Sequence, residues 1–277
     1  IGPKIIVKAF QDELLPIDNQ ILVIGDAELL KKTVKQIAPK IRIHPVNSPQ
    51  EGRYQTCTID VIDLNNVPKA LPMGKPSSEG GKASYEAIQK AVELALKDEV
   101  TAITTAPINK QSLHMAGHTF PGHTELLGHL TDSKNPSLMM EGNSLRVVLV
   151  TTHLALDQVK SQITEEKVLQ SIRQTNAWLQ KHVKEIPSIA VVGLNPHSGD
   201  GGIFGQEETE FILPAIKTAQ QEGIQASGPY PADALFQRAA SEKYDAVICM
   251  YHDQGMIPVK MNGMSVNITM GLPILRT

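Results

Sequence analysis

The 277-residue chain reads as an α/β protein organised on a parallel sheet, with enough length for about two domains. Three apolar runs carry that reading: Arg146-Val-Val-Leu-Val-Thr-Thr-His153, Ile189-Ala-Val-Val-Gly-Leu-Asn-Pro-His197 and Asp245-Ala-Val-Ile-Cys-Met-Tyr-His252. Each is a continuous run of the kind that suits a strand buried on both faces, and each stops on a histidine. Helical stretches lie between them, the order expected of parallel crossover units. If the three strands are parallel in one sheet, their carboxyl ends share an edge, where open α/β sheets place ligands. Three imidazoles then converge.

Composition narrows the function classes. With 41% hydrophobic and 20% charged residues the chain resembles an ordinary globular protein able to bury a sizeable core. A formal net charge of −3 offers no basic excess and argues against nucleic acid or anionic membrane as the main partner. Cys57 and Cys249, with no CxxC pattern, indicate neither a disulfide framework nor a thiolate metal site and fit a reducing cytoplasm. No run approaches the eighteen or so apolar residues of a membrane helix, and nothing resembles a signal peptide. The start at Ile1-Gly-Pro and the stop after Leu272-Pro-Ile-Leu-Arg-Thr277 read as a chain truncated at both ends.

Taken in order, Pro3 followed by Ile5, Ile6, Ala9 and Phe10 starts a helix. Residues 20–25 form a short buried strand, Asp26 caps a helix to about Ile37, and Pro39 ends it. Residues 41–46 and 59–64 read as strands, and His44, between apolar neighbours, reads as structural. Residues 74–81 are turn and cap chemistry, with Ser77 or Ser78 capping a helix to about Lys97. Residues 100–107 read as a strand after that helix, which implies a parallel crossover from the strand before it. His114, His118, His123 and His129 lie within sixteen positions. His123 and Thr124 fall near a helix N-terminus, whose free N–H groups suit an anion; the other three read as polar loop residues. Thr164 starts an amphipathic helix to residue 182, and a helix spans 213–222. The turn Ser198-Gly-Asp-Gly-Gly-Ile-Phe-Gly205 between them is glycine-rich but matches neither GxGxxG nor a Walker sequence. A turn at 228–231 leads into another helix, 266–271 is a strand, and 272–276 is extended.

A lone histidine at a strand end is most often a hydrogen-bonded core residue. Three at equivalent ends, each followed by polar or glycine residues, point to metal binding. All-imidazole ligation by His153, His197 and His252 suits zinc, cobalt or a similar divalent ion acting as Lewis acid. Asp200 and Asp253 suit a further ligand, a general base or a carboxylate that orients the rings. Lys110, Lys260 and Arg276 each follow a strand and suit a phosphate or carboxylate, Arg276 by bidentate contact. Two classes remain from the residues alone: a metal-dependent enzyme acting on a small phosphorylated acid, either dehydrogenase or hydrolase, and a metal-dependent binding protein.

Thr105-Ala-Pro-Ile-Asn-Lys110, Phe120-Pro-Gly-His-Thr-Glu125, Asn195-Pro-His-Ser-Gly-Asp-Gly-Gly202 and Tyr251-His-Asp-Gln-Gly255 resemble signature segments of the 4-hydroxythreonine-4-phosphate dehydrogenase family of pyridoxal phosphate biosynthesis. The likeness extends over essentially the whole chain. It implies two α/β/α domains with a central cleft, isocitrate and isopropylmalate dehydrogenase-like and non-Rossmann. The expected division is 1–107 with 259–277, and 108–258 carrying the metal ligands. The resemblance places a divalent metal (zinc, magnesium or cobalt) on His153, His197 and His252, and substrate contacts on His123, Thr124, Lys260, Asn267 and Arg276. The spacing from Lys260 to Asn267 is slightly shorter than in the family. Asp200, Asp253 and Lys260 stand as the catalytic candidates. The implied cofactor is NAD, with NADP as the alternative, and family members are homodimers whose metal site draws on both subunits. The implied reaction oxidises 4-phosphohydroxy-L-threonine at C3 to a β-keto acid that decarboxylates to 3-amino-1-hydroxyacetone 1-phosphate. A paralogous 4-phosphoerythronate or 4-phosphothreonate dehydrogenase is the alternative.

Overall fold

The structure, a computed structural model, describes residues 1–12, 15, 19–143, 145–239, 244–261 and 263–277. The chain divides into two compact units, residues 1–134 with 273–276 and residues 135–272 with 277. The expected divisions at 107/108 and 258/259 fall elsewhere because packing, rather than motif order, draws the line. Residues 110–115 form a helix laid against the helix that begins at Ser78, and residues 266–270 are a strand hydrogen-bonded into the second unit's sheet.

The first unit contains α1 (Gly2–Gln11), β1 (Leu22–Gly25), α2 (Ala27–Ile37), β2 (Arg42–Val46), β3 (Thr58–Asp63), α3 (Ser78–Leu96), β4 (Ala102–Ile103), α4 (Lys110–Met115) and α5 (His123–Leu130), and regains β11 (Leu275–Arg276) from the far end of the chain. Its parallel sheet has the order β1-β3-β2, with Val7, Leu30, Val34, Ile59 and Val61 buried against it. Local chemistry sets the helix starts. Asp26 Oδ1 accepts the Leu29 N–H at 2.8 Å, and its other oxygen accepts the Val67 N–H at 3.0 Å. Ser77, not Ser78, caps α3 by accepting the Gly80 N–H at 3.1 Å. His44 is structural: its Nδ1 lies 2.7 Å from the buried Asp60 carboxylate.

The crossover expected from β3 through α3 into the next strand of the same sheet is not formed. β4 is two residues long and pairs in parallel with β11. Beyond it, Pro107 has no N–H to give to a ladder, and Thr105 and Ala106 bond the side chains of Arg276 and His123 instead.

The second unit contains β5 (Ser137–Gly142), β6 (Leu145–Leu149), α6 (Leu156–Gln162), α7 (Glu165–His182), β7 (Ser188–Val192), α8 (Leu213–Gln221), β8 (Gln225–Tyr230), α9 (Ala232–Ala239), β9 (Ala246–Cys249), α10 (His252–Met261) and β10 (Val266–Met270). Among the described residues its sheet runs β10-β5-β6-β9-β7-β8. The strands read from the three apolar runs, β6, β9 and β7, are adjacent and parallel, as expected. One face is covered by α7 and α8 through Val168, Ile172, Leu179 and Ile216; the other is closed by Leu235, Met256 and Val259. Lys260 does not follow a strand directly. The β9 run ends at Cys249, and α10, which starts at His252, carries Lys260 in its last turn. No helix of the described residues is long and apolar enough to cross a membrane.

Candidate functional site

In the second unit the segments bearing His153, His252 and His197 leave one sheet edge, at the carboxyl ends of β6, β9 and β7. His153 and His252 come together there, with ring centroids 5.7 Å apart. His252 opens α10, and its Nδ1 lies 2.7 Å from Asp253 Oδ1. A carboxylate at Nδ1 holds that nitrogen as the N–H and leaves Nε2 its lone pair, the arrangement usual for an imidazole that ligates a metal. His153 is exposed, and the His252 side chain retains 39% of its accessible surface, so both rings are within reach of an ion from solvent. Paired imidazoles with one tautomer set by a carboxylate fit the donor preference of a divalent ion such as zinc or cobalt.

His197 does not join them. Among the described residues, no three His, Cys, Asp or Glu side chains of one chain gather closely enough to hold a metal, so the expected convergence of three imidazoles within one chain is not found. His197, Ser198, Gly199, Asp200 and Gly201 have φ of 52°, 54°, 80°, 44° and 66°, which winds the glycine-rich segment into a left-handed turn. The turn sets the His197 ring 6.3 Å from that of Phe204. Left-handed conformation costs a non-glycine residue roughly 1–2 kcal/mol, so His197, Ser198 and Asp200 stay there only because their surroundings hold them. Asp200 is exposed within the turn; Asp253, which holds His252, is exposed as well. Lys260 and Asn267, on α10 and β10, are exposed residues of the same unit. A surface pocket of about 670 Å³ lies beside the turn, lined by Lys160, Thr164, Gly205, Glu207 and Phe211 among others, and carries no imidazole.

In the first unit α5 begins at His123 after an extended Gly122, so its first-turn N–H groups are available to an anion. Burial, and then the Arg276 guanidinium, push the His123 pKa down to about 4, against a backbone hydrogen bond with Ala106 that raises it. The ring is neutral at pH 7. Its Nε2 is buried and meets no partner among the described residues. Arg276 is only 8% exposed, and its Nη2 donates to Thr105 Oγ1 at 2.7 Å. Burial lowers its pKa, yet a guanidinium stays charged. A buried guanidinium and a helix N-terminus suit an anionic group, and the unsatisfied ring nitrogen beside them suits a hydroxyl or protonated oxygen. Thr124 follows in the same first turn, half-buried, and Lys110 opens α4 as an exposed residue.

The remaining histidines of this stretch serve packing. His118 stacks on Tyr85 with centroids 3.6 Å apart, His129 packs against Phe120 at 5.2 Å, and His114 Nε2 lies 3.3 Å from the Phe120 carbonyl. Sequence reasoning passed over Thr105 and Ala106 as the backing of the anion receptor, although both lie in one of the signature segments.

The family model for the pyridoxal phosphate biosynthetic protein PdxA matches residues 18–277. The D-threonate 4-phosphate dehydrogenase of Cupriavidus necator is 42% identical over 280 residues, which span 100% of this chain and 84% of that protein. The 4-hydroxythreonine-4-phosphate dehydrogenase of Desulforapulum autotrophicum is 42% identical over 281 residues, spanning 100% of this chain and 83% of that one. A crystal structure of 4-hydroxythreonine-4-phosphate dehydrogenase from Klebsiella pneumoniae has a TM-score of 0.96 to this chain at 37% identity, covering 100% of this chain and 86% of that one.

Proposed function

Because this chain belongs to the pyridoxal phosphate biosynthetic protein PdxA family of dehydrogenases, we propose that it oxidises 4-phosphohydroxy-L-threonine at C3 with NAD and a divalent metal. The arrangement in the first unit carries this reading: Arg276 and the α5 N-terminus suit the phosphate of the substrate, and His123 Nε2 suits a hydroxyl or protonated oxygen beside it. Thr124, Lys260 and Asn267 complete the substrate contacts. The isocitrate dehydrogenase-like description belongs to the same reading and accounts for NAD use without a Rossmann turn.

His153 and His252 hold the metal, with Asp253 fixing the His252 tautomer. His197 is the third ligand, and since it stands apart from the pair within one chain, a second copy of the chain completes the site in a homodimer. When bound, zinc, magnesium or cobalt supplies Lewis acidity that lowers the pKa of the substrate's C3 hydroxyl. A base of the chain takes the hydroxyl proton, for which Lys260 and Asp200 are the candidates, because Asp253 is engaged with His252. The neutral His123, its one N–H engaged with Ala106, presents Nε2 as an acceptor to a substrate hydroxyl or protonated phosphate oxygen, while Arg276 supplies the charge. Clamping the phosphate fixes C3 for hydride transfer to the nicotinamide of NAD, or of NADP. The β-keto acid that results loses carbon dioxide, giving 3-amino-1-hydroxyacetone 1-phosphate.

A second reading follows from the relatives' names, which divide at equal identity between two phosphorylated acids: the substrate is D-threonate 4-phosphate. One assay separates the readings. The chain is incubated with NAD, a divalent metal and each acid in turn, and NADH formation is followed together with phosphate release. NADH from 4-phosphohydroxy-L-threonine supports the first reading and NADH from D-threonate 4-phosphate alone the second. Phosphate release without NADH would point to a hydrolase and sink both.

A further inference from the structure

Each of the three histidines stands two residues beyond a residue that takes part in a hydrogen bond between side chain and backbone. Thr151, 5% exposed and two residues before His153, donates its hydroxyl to the Met250 carbonyl at 2.7 Å. Met250 lies two residues before His252, and its N–H is accepted by Gln254 Oε1 at 2.7 Å. The same amide donates from Nε2 to the Gly193 carbonyl at 2.7 Å, which joins the end of β9 to the end of β7. From there the chain of bonds passes to Glu208, 3% exposed. Its Oε1 accepts the Leu194 and Asn195 N–H groups at 2.8 and 2.7 Å, and its Oε2 accepts Asn195 Nδ2 at 2.9 Å. Asn195 lies two residues before His197.

Glu208 also fills the space beneath the left-handed turn. A Cβ built on Gly193 would stand 2.9 Å from its Oε1, and one on Gly199 would stand 2.7 Å from its Oε2. The carboxylate is thus wrapped by backbone on both sides. Hydrogen bonds to an ionised acceptor are about twice as strong as neutral ones, and three of them oppose the cost of the left-handed residues. Asn195 Nδ2 is held a second time by Glu207 Oε2 at 2.7 Å, and Glu207 is anchored by Lys160 at 2.6 Å.

We propose that Thr151, Gln254 and Glu208 form one lace that fixes the strand ends from which His153, His252 and His197 project, with Glu208 the positioning residue on which the His197 turn depends. The inference rests on the reading of these histidines as ligands of a divalent ion. None of the three lace residues needs to touch the ion. Without Glu208 the turn is free to leave the left-handed region, and His197 is displaced from its ligating position. Without Gln254 the ends of β7 and β9 part.

The test is titration of metal-free protein with Co(II), read as the dissociation constant and the visible ligand-field spectrum, alongside a thermal melt of each metal-free variant. Glu208→Gln keeps the size of the side chain but turns one acceptor into a donor facing Asn195 Nδ2. Glu208→Gln and Gln254→Leu are expected to weaken Co(II) binding about 10- to 100-fold with an altered spectrum, the range usual for groups that orient ligands. Native affinity and spectrum in both variants, with only a lowered melting temperature, would overturn the proposal by making the lace purely structural. If Glu208→Gln fails to fold, Gln254→Leu and the near-isosteric Thr151→Val decide, and native affinity in both overturns it. His252→Ala is the control for the underlying reading. If it binds Co(II) as tightly as the native chain, the metal assignment itself fails, a result distinct from failure of the lace.

Discussion

His123 combines burial, a nearby guanidinium and an unsatisfied nitrogen, and these have a consequence for acid stability. Its folded pKa of about 4 lies below the reference value of 6.5. Between those values the unfolded chain binds a proton that the folded chain refuses, so stability from this group is present above pH 6.5 and lost as the pH falls toward 4. After allowance for the ring's partial exposure the loss is of order 2 kcal/mol. Urea midpoints measured from pH 7 down to 4 should fall more steeply for the native chain than for His123→Gln; parallel curves would remove the neutral-histidine assignment. His123 was legible in the sequence because a glycine and a periodic apolar run bracket it. Arg276 was legible as a cation after a strand but not as a buried one, since its burial depends on β4, 171 residues away. Glu208 was not legible, because nothing local reveals that a strand end folds back onto it.

Where helices cross, backbone can meet backbone. Gly81 in α3 faces α4 so closely that a Cβ there would lie 1.9 Å from the Ser112 carbonyl oxygen, whereas a Cβ on neighbouring Gly80 would meet only the Ser77 side chain at 3.2 Å and Leu71 at 3.9 Å. Gly81→Ala should therefore cost roughly 2–4 kcal/mol as the helices are forced apart, and Gly80→Ala should stay within about 1 kcal/mol. Denaturant midpoints of the two variants check this, and equal midpoints would refute the crossing. Capped helices were the easiest elements to anticipate, as Asp26 and Ser77 illustrate, because a cap is a local bond. The β6, β9 and β7 runs were legible through their unbroken apolar character. β5 and β8 were missed for compositional reasons: Ser137-Leu-Met-Met-Glu-Gly142 has no β-branched residue, and Gln225-Ala-Ser-Gly-Pro-Tyr230 carries both glycine and proline. The glycines around His197 announced backbone freedom without its hand, so the left-handed winding of this segment was hidden.

The two units differ in how the chain supplies them. Apart from Thr277 the second is continuous, residues 135–272, with its own sheet, six-stranded among the described residues, and cores on both faces. Expressed alone, it should unfold cooperatively in a thermal or urea melt with retained near-ultraviolet circular dichroism; a non-cooperative transition would show that its core depends on the rest of the chain. Motif order could not reveal this division, since residues 108–134 and 259–272 declare their allegiance only through the helix and strand they pack on. The first unit, by contrast, waits for β11. Thr105 and Arg276 are separated by 171 positions, which at ribosomal speeds of 5–20 residues per second is on the order of ten to thirty seconds of synthesis. Through that interval β4 has no partner and His123 has no guanidinium beside it, so the proposed anion site stays incomplete until the ribosome has added Arg276.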